Sequence, residues 1–390
     1  MKLVQDIRDY LKIEYLLLFL FSFEILDKHH FIIFALFAFL FVKGRIKIVS
    51  NSQFALLIAW GISYWIFGHS HLWSEIQVPS LWCVFLIGYS MVNTREDFPI
   101  ILIIVALGFA LEGLLTVYNA EGTQFAVDED SRFVDSLWGS AKRAISAQNV
   151  TMYLFSGCLV YILQKKEIPV LVKVLAVIFE LGFLYNSIMI AMRSSLLFNP
   201  LIIAISFIAF NGIKFKGKHL FFLLIILSLF VVLYAINFYG IRSFFEDSFL
   251  FTRLTEEADG GIAHNSRYNL QGRFWDVYDQ DYFGGLHDKI DFYFHNIWLD
   301  MYSFSGIISA VLFMFLTISF IKTFINVYKK AEREERSLLA GVFAAFMLPF
   351  YMDPMLWAAP CYFAIFIMFY GMLVRKKYII NYNYHLLLMR

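Results

Sequence analysis

Residues 98–119, FPIILIIVALGFALEGLLTVYN, contain a single charged side chain, Glu112. A membrane-spanning α-helix needs about 20 largely apolar residues, so this stretch is long enough to cross a bilayer. The whole chain resembles it, because 60% of the 390 residues are hydrophobic and 16% are charged. Soluble domains have about 45–50% apolar and about 25% charged residues, so the composition excludes an ordinary cytoplasmic enzyme. The apolar runs are continuous rather than alternating, which predicts helices rather than transmembrane β-strands.

Similar apolar runs recur along the chain and predict an all-α, polytopic transmembrane helical bundle. We expect residues 1–390 to form a single integral membrane domain of about 12 spans. The predicted spans are 13–26, 29–42, 53–68, 78–93, 98–119, 149–163, 167–190, 195–211, 218–240, 303–326, 336–352 and 356–374. Two connections are long: 120–148, and 241–302 between spans 9 and 10. Loops of this length that lack low-complexity composition are typical of functional segments.

The distribution of basic residues predicts the orientation. If both termini are cytoplasmic, the inner segments hold 21 Lys and Arg and the outer segments hold 10, with Lys173 near the inner end of its span. Cytoplasmic connections are enriched in Lys and Arg, so this excess favours cytoplasmic termini. Both long connections then lie on the outer face. The net charge of +1 gives no reason to expect a nucleic-acid partner.

The outer connections supply arginine side chains that suit an anionic ligand. Arg193 lies between two predicted spans, where an unpaired guanidinium beside hydrocarbon is costly. Its planar fork binds phosphate or carboxylate in a bidentate manner, which makes such a group its natural partner. Snorkelling to lipid headgroups is the alternative interpretation. The other outer arginines considered with it are Arg132, Arg143, Arg253, Arg267 and Arg273.

The connection 241–302 combines cationic, aromatic and imidazole side chains. It contains Gly272-Arg-Phe-Trp-Asp and then His295-Asn-Ile-Trp-Leu-Asp, with Phe283-Gly-Gly between them. Its aromatic residues can fold back onto the bilayer or stack on sugar rings. An imidazole titrates near neutral pH, so His295 is suited to accept a proton; a solvated loop histidine is the alternative. Residues 293–301 are compatible with a helix that precedes the next span.

These motifs resemble the O-antigen polymerase and ligase superfamily of Wzy and WaaL types, integral membrane glycosyltransferases of the GT-C type. Ser146-Ala-Gln-Asn149 resembles the Pro-Asn element of that family, with Gln148 in place of the proline. Met192-Arg-Ser-Ser-Leu-Leu resembles its Ser-Arg-Gly-x-Leu element, with Met before the arginine and Ser after it. The predicted twelve spans and the late outer loop extend the resemblance over nearly the whole chain.

The resemblance implies glycosyl transfer from an undecaprenyl-diphosphate-linked glycan to a saccharide acceptor at the outer face of the plasma membrane. It implies an inverting, metal-independent reaction without a cofactor. Arg193 and Arg273 match the phosphate-contacting arginines of the family, and His295 matches its base or acceptor-orienting histidine. A sugar on a diphosphate already has a competent leaving group, so cations and a base are what the enzyme must supply.

Further residues are expected to bind substrate. Arg143 can line the acceptor path, and Arg267 can contribute to the positive lining of the loop. The resemblance adds Asn149 and Asn296. Asp353 lies at the predicted outer turn between the last two spans and can orient His295 or an acceptor, although Asp-Pro is also an ordinary turn former.

Several alternatives stay open at this stage. Asp128-Glu-Asp130 and Asp279-Gln-Asp281 both read Asp-x-Asp, a pattern that metal-dependent membrane glycosyltransferases use to hold a divalent ion. The reaction is that of a repeat-unit polymerase, with a chain-length regulator as a possible partner, or that of a ligase acting on a lipid A-core acceptor. The spacing Arg273-x10-Gly284 favours the polymerase. A transporter or flippase of lipid-linked oligosaccharide belongs to a different class and needs polar groups at the bilayer midplane.

Overall fold

The computed structural model describes residues 12–25, 29–47, 51–68, 72–94, 96–120, 133–135, 137–138, 142–144, 151–189, 193–212, 266–290, 292–352 and 355–388. The first helices are α1 Ile13–Ser22, α2 His29–Val42, α3 Ser52–Phe67, α4 Leu72–Met91 and α5 Asp97–Ala120. A hairpin of β1 Phe133–Asp135 and β2 Lys142–Ala144 precedes α6 Tyr153–Gln164, α7 Val170–Met189 and α8 Arg193–Asn211. Then follow α9 Ser266–Gly272, α10 Phe274–Val277, a 3₁₀ turn Tyr278–Gln280 and α11 Leu286–Ile290. The chain ends with α12 Ile297–Lys330, α13 Arg333–Met352, α14 Met355–Ala358 and α15 Pro360–Leu388.

The helices pack through an aromatic core and through close backbone contacts. Phe320 of α12, Phe346 of α13 and Phe366 of α15 contact one another in this core. α6 and α13 meet at Gly157 and Gly341, where a Cβ on Gly157 would lie 2.7 Å from the Gly341 carbonyl carbon. Only glycine permits that approach of two helix backbones. The architecture is therefore a bundle of helices, as the apolar runs predict.

Three helices in the described part of the chain are long and apolar enough to cross a membrane: Asp97–Thr116, Val170–Ile188 and Ile297–Lys330. Six shorter apolar helices accompany them: Ile13–Ser22, His30–Val42, Ser52–Phe67, Ile76–Met91, Tyr153–Gln164 and Leu197–Asn211. The all-helical, membrane-compatible character is thus confirmed. The count of twelve spans stays a prediction, and the predicted span 218–240 lies outside the described residues.

The structure differs from the sequence-based expectation in two places. Residues 293–296 are not helical, and α12 starts at Ile297 and runs for 34 residues through the predicted span 303–326. The reason is local, because Asn296 caps the helix and stops it from starting earlier. Within the predicted loop 120–148, β1 and β2 pair in antiparallel register, with Val134 opposite Arg143.

Polar contacts at one end of the bundle join segments that the sequence places on the same side. Lys165 Nζ lies 3.2 Å from Glu334 Oε2, Arg333 Nη2 donates to Asn211 Oδ1 at 2.9 Å, and Arg375 Nε donates to Val92 O at 3.2 Å. We call this the basic end. At the opposite end Gln77 Nε2 donates to Leu356 O at 3.1 Å. The side of the membrane that each end faces stays a prediction.

Candidate functional site

Residues 266–290 and 292–296, which we call the loop unit, pack onto the first turns of α12. Phe274 of α10, Leu286 of α11, Phe294 and Tyr302 form a hydrophobic cluster separate from the main core. The Phe274 ring meets the Phe294 and Tyr302 rings edge-on, at centroid distances of 5.4 and 5.2 Å. Tyr302 also donates its hydroxyl to Tyr278 O at 2.6 Å. The segment is therefore a small folded layer with its own aromatic core.

Two glycines let the loop unit dock against the backbone of α12. Gly306 has φ 73° and ψ −178° inside α12, a backbone region that is essentially restricted to glycine. A Cβ at Gly306 would lie 2.6 Å from Tyr282 O and 2.7 Å from Gly284 N. Ile307 N donates to Tyr282 O at 2.9 Å. The kink at Gly306 therefore leaves a backbone N–H of α12 available to bind the loop unit. The Phe-Gly-Gly motif thus has a structural role, because it fits the chain against the kink.

His295 lies in a backbone conformation that one buried carboxylate supports. Its φ is 54°, in the left-handed region that few non-glycine residues adopt. The N–H groups on either side of it both donate to Asp300: Phe294 N to Oδ1 at 2.6 Å and Asn296 N to Oδ2 at 3.0 Å. Asp300 has 0% exposure. Charge-assisted bonds from two flanking amides hold the peptide that carries His295 in this turn.

Two amide side chains complete the frame around His295. Asn296 Oδ1 accepts from Trp298 N at 3.2 Å and from Leu299 N at 3.3 Å, which makes Asn296 the N-cap of α12. Gln271 Nε2 donates to His295 O at 3.3 Å and to Tyr351 O at 3.1 Å. Gln271 therefore ties the loop unit to His295 and to the end of α13.

Arg273 lies in the same loop unit, on its accessible side. It sits between α9 and α10, directly before the buried Phe274, and is itself exposed. Its guanidinium carbon lies 6.0 Å from the centroid of the Phe292 ring, within cation–π range. Trp275, two residues after Arg273, is 71% exposed, and Tyr278, Tyr282 and Phe283 are exposed too. Exposed aromatic rings thus follow Arg273 closely in the chain.

A stack of rings runs beneath this surface. The His287 ring lies 4.0 Å from the Phe304 ring, and Phe304 in turn stacks on Trp357 at 4.0 Å. His287 Nδ1 is also 3.2 Å from Phe292 O, so His287 is half-buried in the packing rather than a solvated loop residue. Burial, followed by the charge of Asp300, raises the pKa of Tyr293 beside this stack. Tyr293 therefore stays a neutral hydroxyl at physiological pH.

One member of the acidic pair Asp279 and Asp281, Asp281, is engaged in protein contacts. Asp281 Oδ1 accepts from Phe283 N at 3.1 Å, and Asp281 Oδ2 lies 3.1 Å from Lys289 Nζ. Lys289 also donates to Gln280 O at 2.9 Å. Among the described residues no group of three or more His, Cys, Asp or Glu side chains is arranged to hold a metal ion. Asp128 and Asp130, the other Asp-x-Asp pair, lie outside the described residues.

The structure brings two of the three predicted catalytic residues, Arg273 and His295, into one folded unit. For Arg193 it gives only the backbone, since α8 begins at that residue. The backbone of Arg143 lies in β2, and that of Arg267 lies in α9. Asn149 and Asp353 lie outside the described residues. The roles of these residues, and of Asn296 in substrate binding, stay predictions.

Sequence reasoning missed two residues that fix the geometry, Asp300 and Gln271. For Asp300 a signal exists, because Asn296 followed by Asp300 one turn later, ahead of an apolar run, is typical of a helix start. For Gln271 the sequence gives none, since its partners are carbonyl groups 24 and 80 positions away. Comparison with protein-family models and with curated proteins finds no match to this chain.

Proposed function

We propose that the protein transfers a glycan from an undecaprenyl diphosphate carrier to a saccharide acceptor at the outer face of a bacterial plasma membrane. The arrangement of Arg273 and His295 on one docked layer carries the proposal. A guanidinium and an imidazole carried by the same folded segment suit a reaction that must neutralise a leaving diphosphate and accept a proton. In this proposal the chain forms about twelve spans with both termini cytoplasmic, and residues 241–302 form the outer catalytic subdomain.

The reaction breaks the bond between the anomeric carbon and the diphosphate oxygen. The departing undecaprenyl diphosphate keeps the bonding electrons, and Arg273, with Arg193, counters the charge that develops on it. The acceptor hydroxyl oxygen forms the new bond to the anomeric carbon from the opposite face, so the configuration is inverted. His295 takes the proton that this hydroxyl releases.

The exposed aromatic rings of the loop unit support a glycan ligand. Trp275, Tyr278 and Tyr282 are exposed in the same loop unit as Arg273, and aromatic faces next to polar groups suit the apolar faces and hydroxyls of sugars. In this proposal the reaction needs no divalent ion. Arg143, Asn149, Arg267, Asn296 and Asp353 are proposed to contact the two substrates.

A purified system tests this proposal. The full chain in lipid nanodiscs, given lipid-linked repeat units, should lengthen them in the presence of EDTA, and Arg273→Gln should reduce the rate by about 100-fold. Lys322→Gln is the matched control, because it also removes one exposed cation but lies on the far part of α12. Equal rates for Arg273→Gln and the control, or abolition of activity by EDTA, would contradict the proposal.

The phenotype of a deletion strain distinguishes a polymerase from a ligase. Loss of a polymerase leaves single repeats attached to lipid A-core, whereas loss of a ligase leaves none attached. We favour the polymerase, on the Arg273-x10-Gly284 spacing; Gly284 itself lies close to the backbone of Phe67 in α3 and of Phe304 in α12. A strain with no repeat on lipid A-core would assign the ligase reaction instead.

A further inference from the structure

A cavity of about 240 Å³ lies between α12 and α15 at the basic end of the bundle. It is lined by Asn326, Lys330, Lys377, Ile380 and Asn381. α12 and α15 run in the same direction, since Phe313 pairs with Phe363, Phe320 with Tyr370 and Lys330 with Asn381. The cavity is thus at the end of both helices that lies away from the loop unit. It is separate from the site described above.

Two ammonium groups and two amide groups give this cavity an anion-binding character. Lys330 Nζ donates to Asn381 Oδ1 at 2.9 Å, which places its charge at the wall of the cavity. Lys377 is half-buried, and among the residues that the structure describes no carboxylate lies within 4 Å of its ammonium. Two acids at the basic end pair with other lysines, Glu335 with Lys376 and Glu334 with Lys165. Lys377 therefore contributes positive charge to the cavity, beside the Lys330–Asn381 contact.

The length of α12 allows the cavity to lie in a headgroup region if the opposite bilayer surface is near Gly306. Lys330 lies 24 residues beyond Gly306 in α12, or about 36 Å at 1.5 Å per residue, against a hydrocarbon thickness of about 30 Å. Basic pockets between membrane helices at this depth bind the phosphates of anionic lipids. We propose that Lys330 and Lys377, with Asn326 and Asn381, form a binding site for a phosphate-bearing anion at the basic end. The site is independent of the proposed glycosyl transfer.

The phosphate can belong to an anionic lipid headgroup or to a soluble phosphate, and one experiment separates the two sources. The dissociation constant of the detergent-purified full chain is measured for phosphatidylglycerol by native mass spectrometry and for inorganic phosphate by equilibrium dialysis. The double variant Lys330→Gln with Lys377→Gln should raise the dissociation constant of the ligand that binds by about 25-fold, which is about fivefold for each lysine. The matched control is Lys322→Gln with Lys329→Gln, which removes the same charge from exposed positions outside the cavity.

Each outcome decides the inference. Selective loss of phosphatidylglycerol binding in the cavity variant supports it and assigns a lipid, and selective loss of inorganic phosphate binding supports it and assigns a soluble ligand. Lys377→Arg keeps the charge and should bind as the unmodified chain does. The inference is wrong if the cavity variant and the control variant lose affinity for a ligand to the same extent. It is also wrong if neither variant loses affinity for either ligand. Equal melting temperatures of the two double variants confirm that both are folded.

Discussion

At the Ile297 end of α12 the polar side chains bind the backbone, whereas at the Lys330 end they face a cavity. Asp300 and Asn296 together accept four backbone N–H bonds, and the result is a fixed turn around His295. At the far end Lys330 and Lys377 line open space. The first arrangement fixes the backbone that carries His295, and the second leaves two lysine side chains at the wall of a cavity. The two ends of α12 therefore differ in what their polar side chains contact.

The largest effect is expected where the loop unit docks on α12. Gly306→Ala combines a forbidden backbone region with a Cβ 2.6 Å from Tyr282 O, so it should destabilise the protein by about 3 kcal/mol or more. Gly212→Ala is the control, because Gly212 has φ 70° with nothing within 4 Å of its Cβ position, and it should cost about 1 kcal/mol. Thermal unfolding and limited proteolysis at residues 266–296 measure both. Equal losses would mean that the docking contact contributes nothing.

The next largest effect concerns the carboxylate beside His295. Asp300→Ala leaves two buried N–H groups without their acceptors and should cost about 3 kcal/mol, whereas Asp300→Asn keeps one acceptor oxygen and should cost about half of that. If Asp300 positions His295, Asp300→Asn should also lower kcat at temperatures where the variant is fully folded. A variant with normal kcat would show that the turn needs no charge.

A smaller effect is expected at the bridge between the loop unit and α13. Gln271→Ala removes the bonds to His295 O and Tyr351 O and should cost about 1–2 kcal/mol. Gln280→Ala, at an exposed position of the same loop unit, should cost less than about 0.5 kcal/mol. Chemical unfolding of the two variants measures the difference. Equal free energies of unfolding for the two variants would show that Gln271 does not stabilise the turn around His295.

The smallest effects are expected from exposed ion pairs at the two ends. Lys289→Gln at the loop unit and Lys165→Gln at the basic end should each cost less than about 1 kcal/mol. Hydrogen bonding to Glu334 raises the pKa of Lys165, so its contribution is fully present at neutral pH and is lost as pH rises through that raised pKa. Unfolding between pH 7 and alkaline pH measures it. A Lys165→Gln penalty that grows with pH would contradict this sign.

The helices were predictable because long apolar runs leave the chain few alternatives: α5 contains the predicted span 98–119, and α12 contains the predicted span 303–326. The kink at Gly306 could not be predicted, since it depends on the contact with Tyr282, 24 positions earlier. Arg273 and His295 could be proposed as a pair from sequence. Their shared layer depends on the packing of Phe274 against Phe294, which no local pattern encodes. The half-buried position of His287 could not be predicted for the same reason, because its stacking partner Phe304 lies beyond the loop.

The proposed proton-accepting role of His295 is tested by a substitution that preserves the backbone conformation at residue 295. Asn tolerates φ 54° better than Ala does, so His295→Asn removes the imidazole while preserving the turn. The rate at which purified protein lengthens lipid-linked repeats should fall by at least about 100-fold in His295→Asn, with an unchanged melting temperature. A His295→Asn protein that extends the glycan at the original rate would contradict the account.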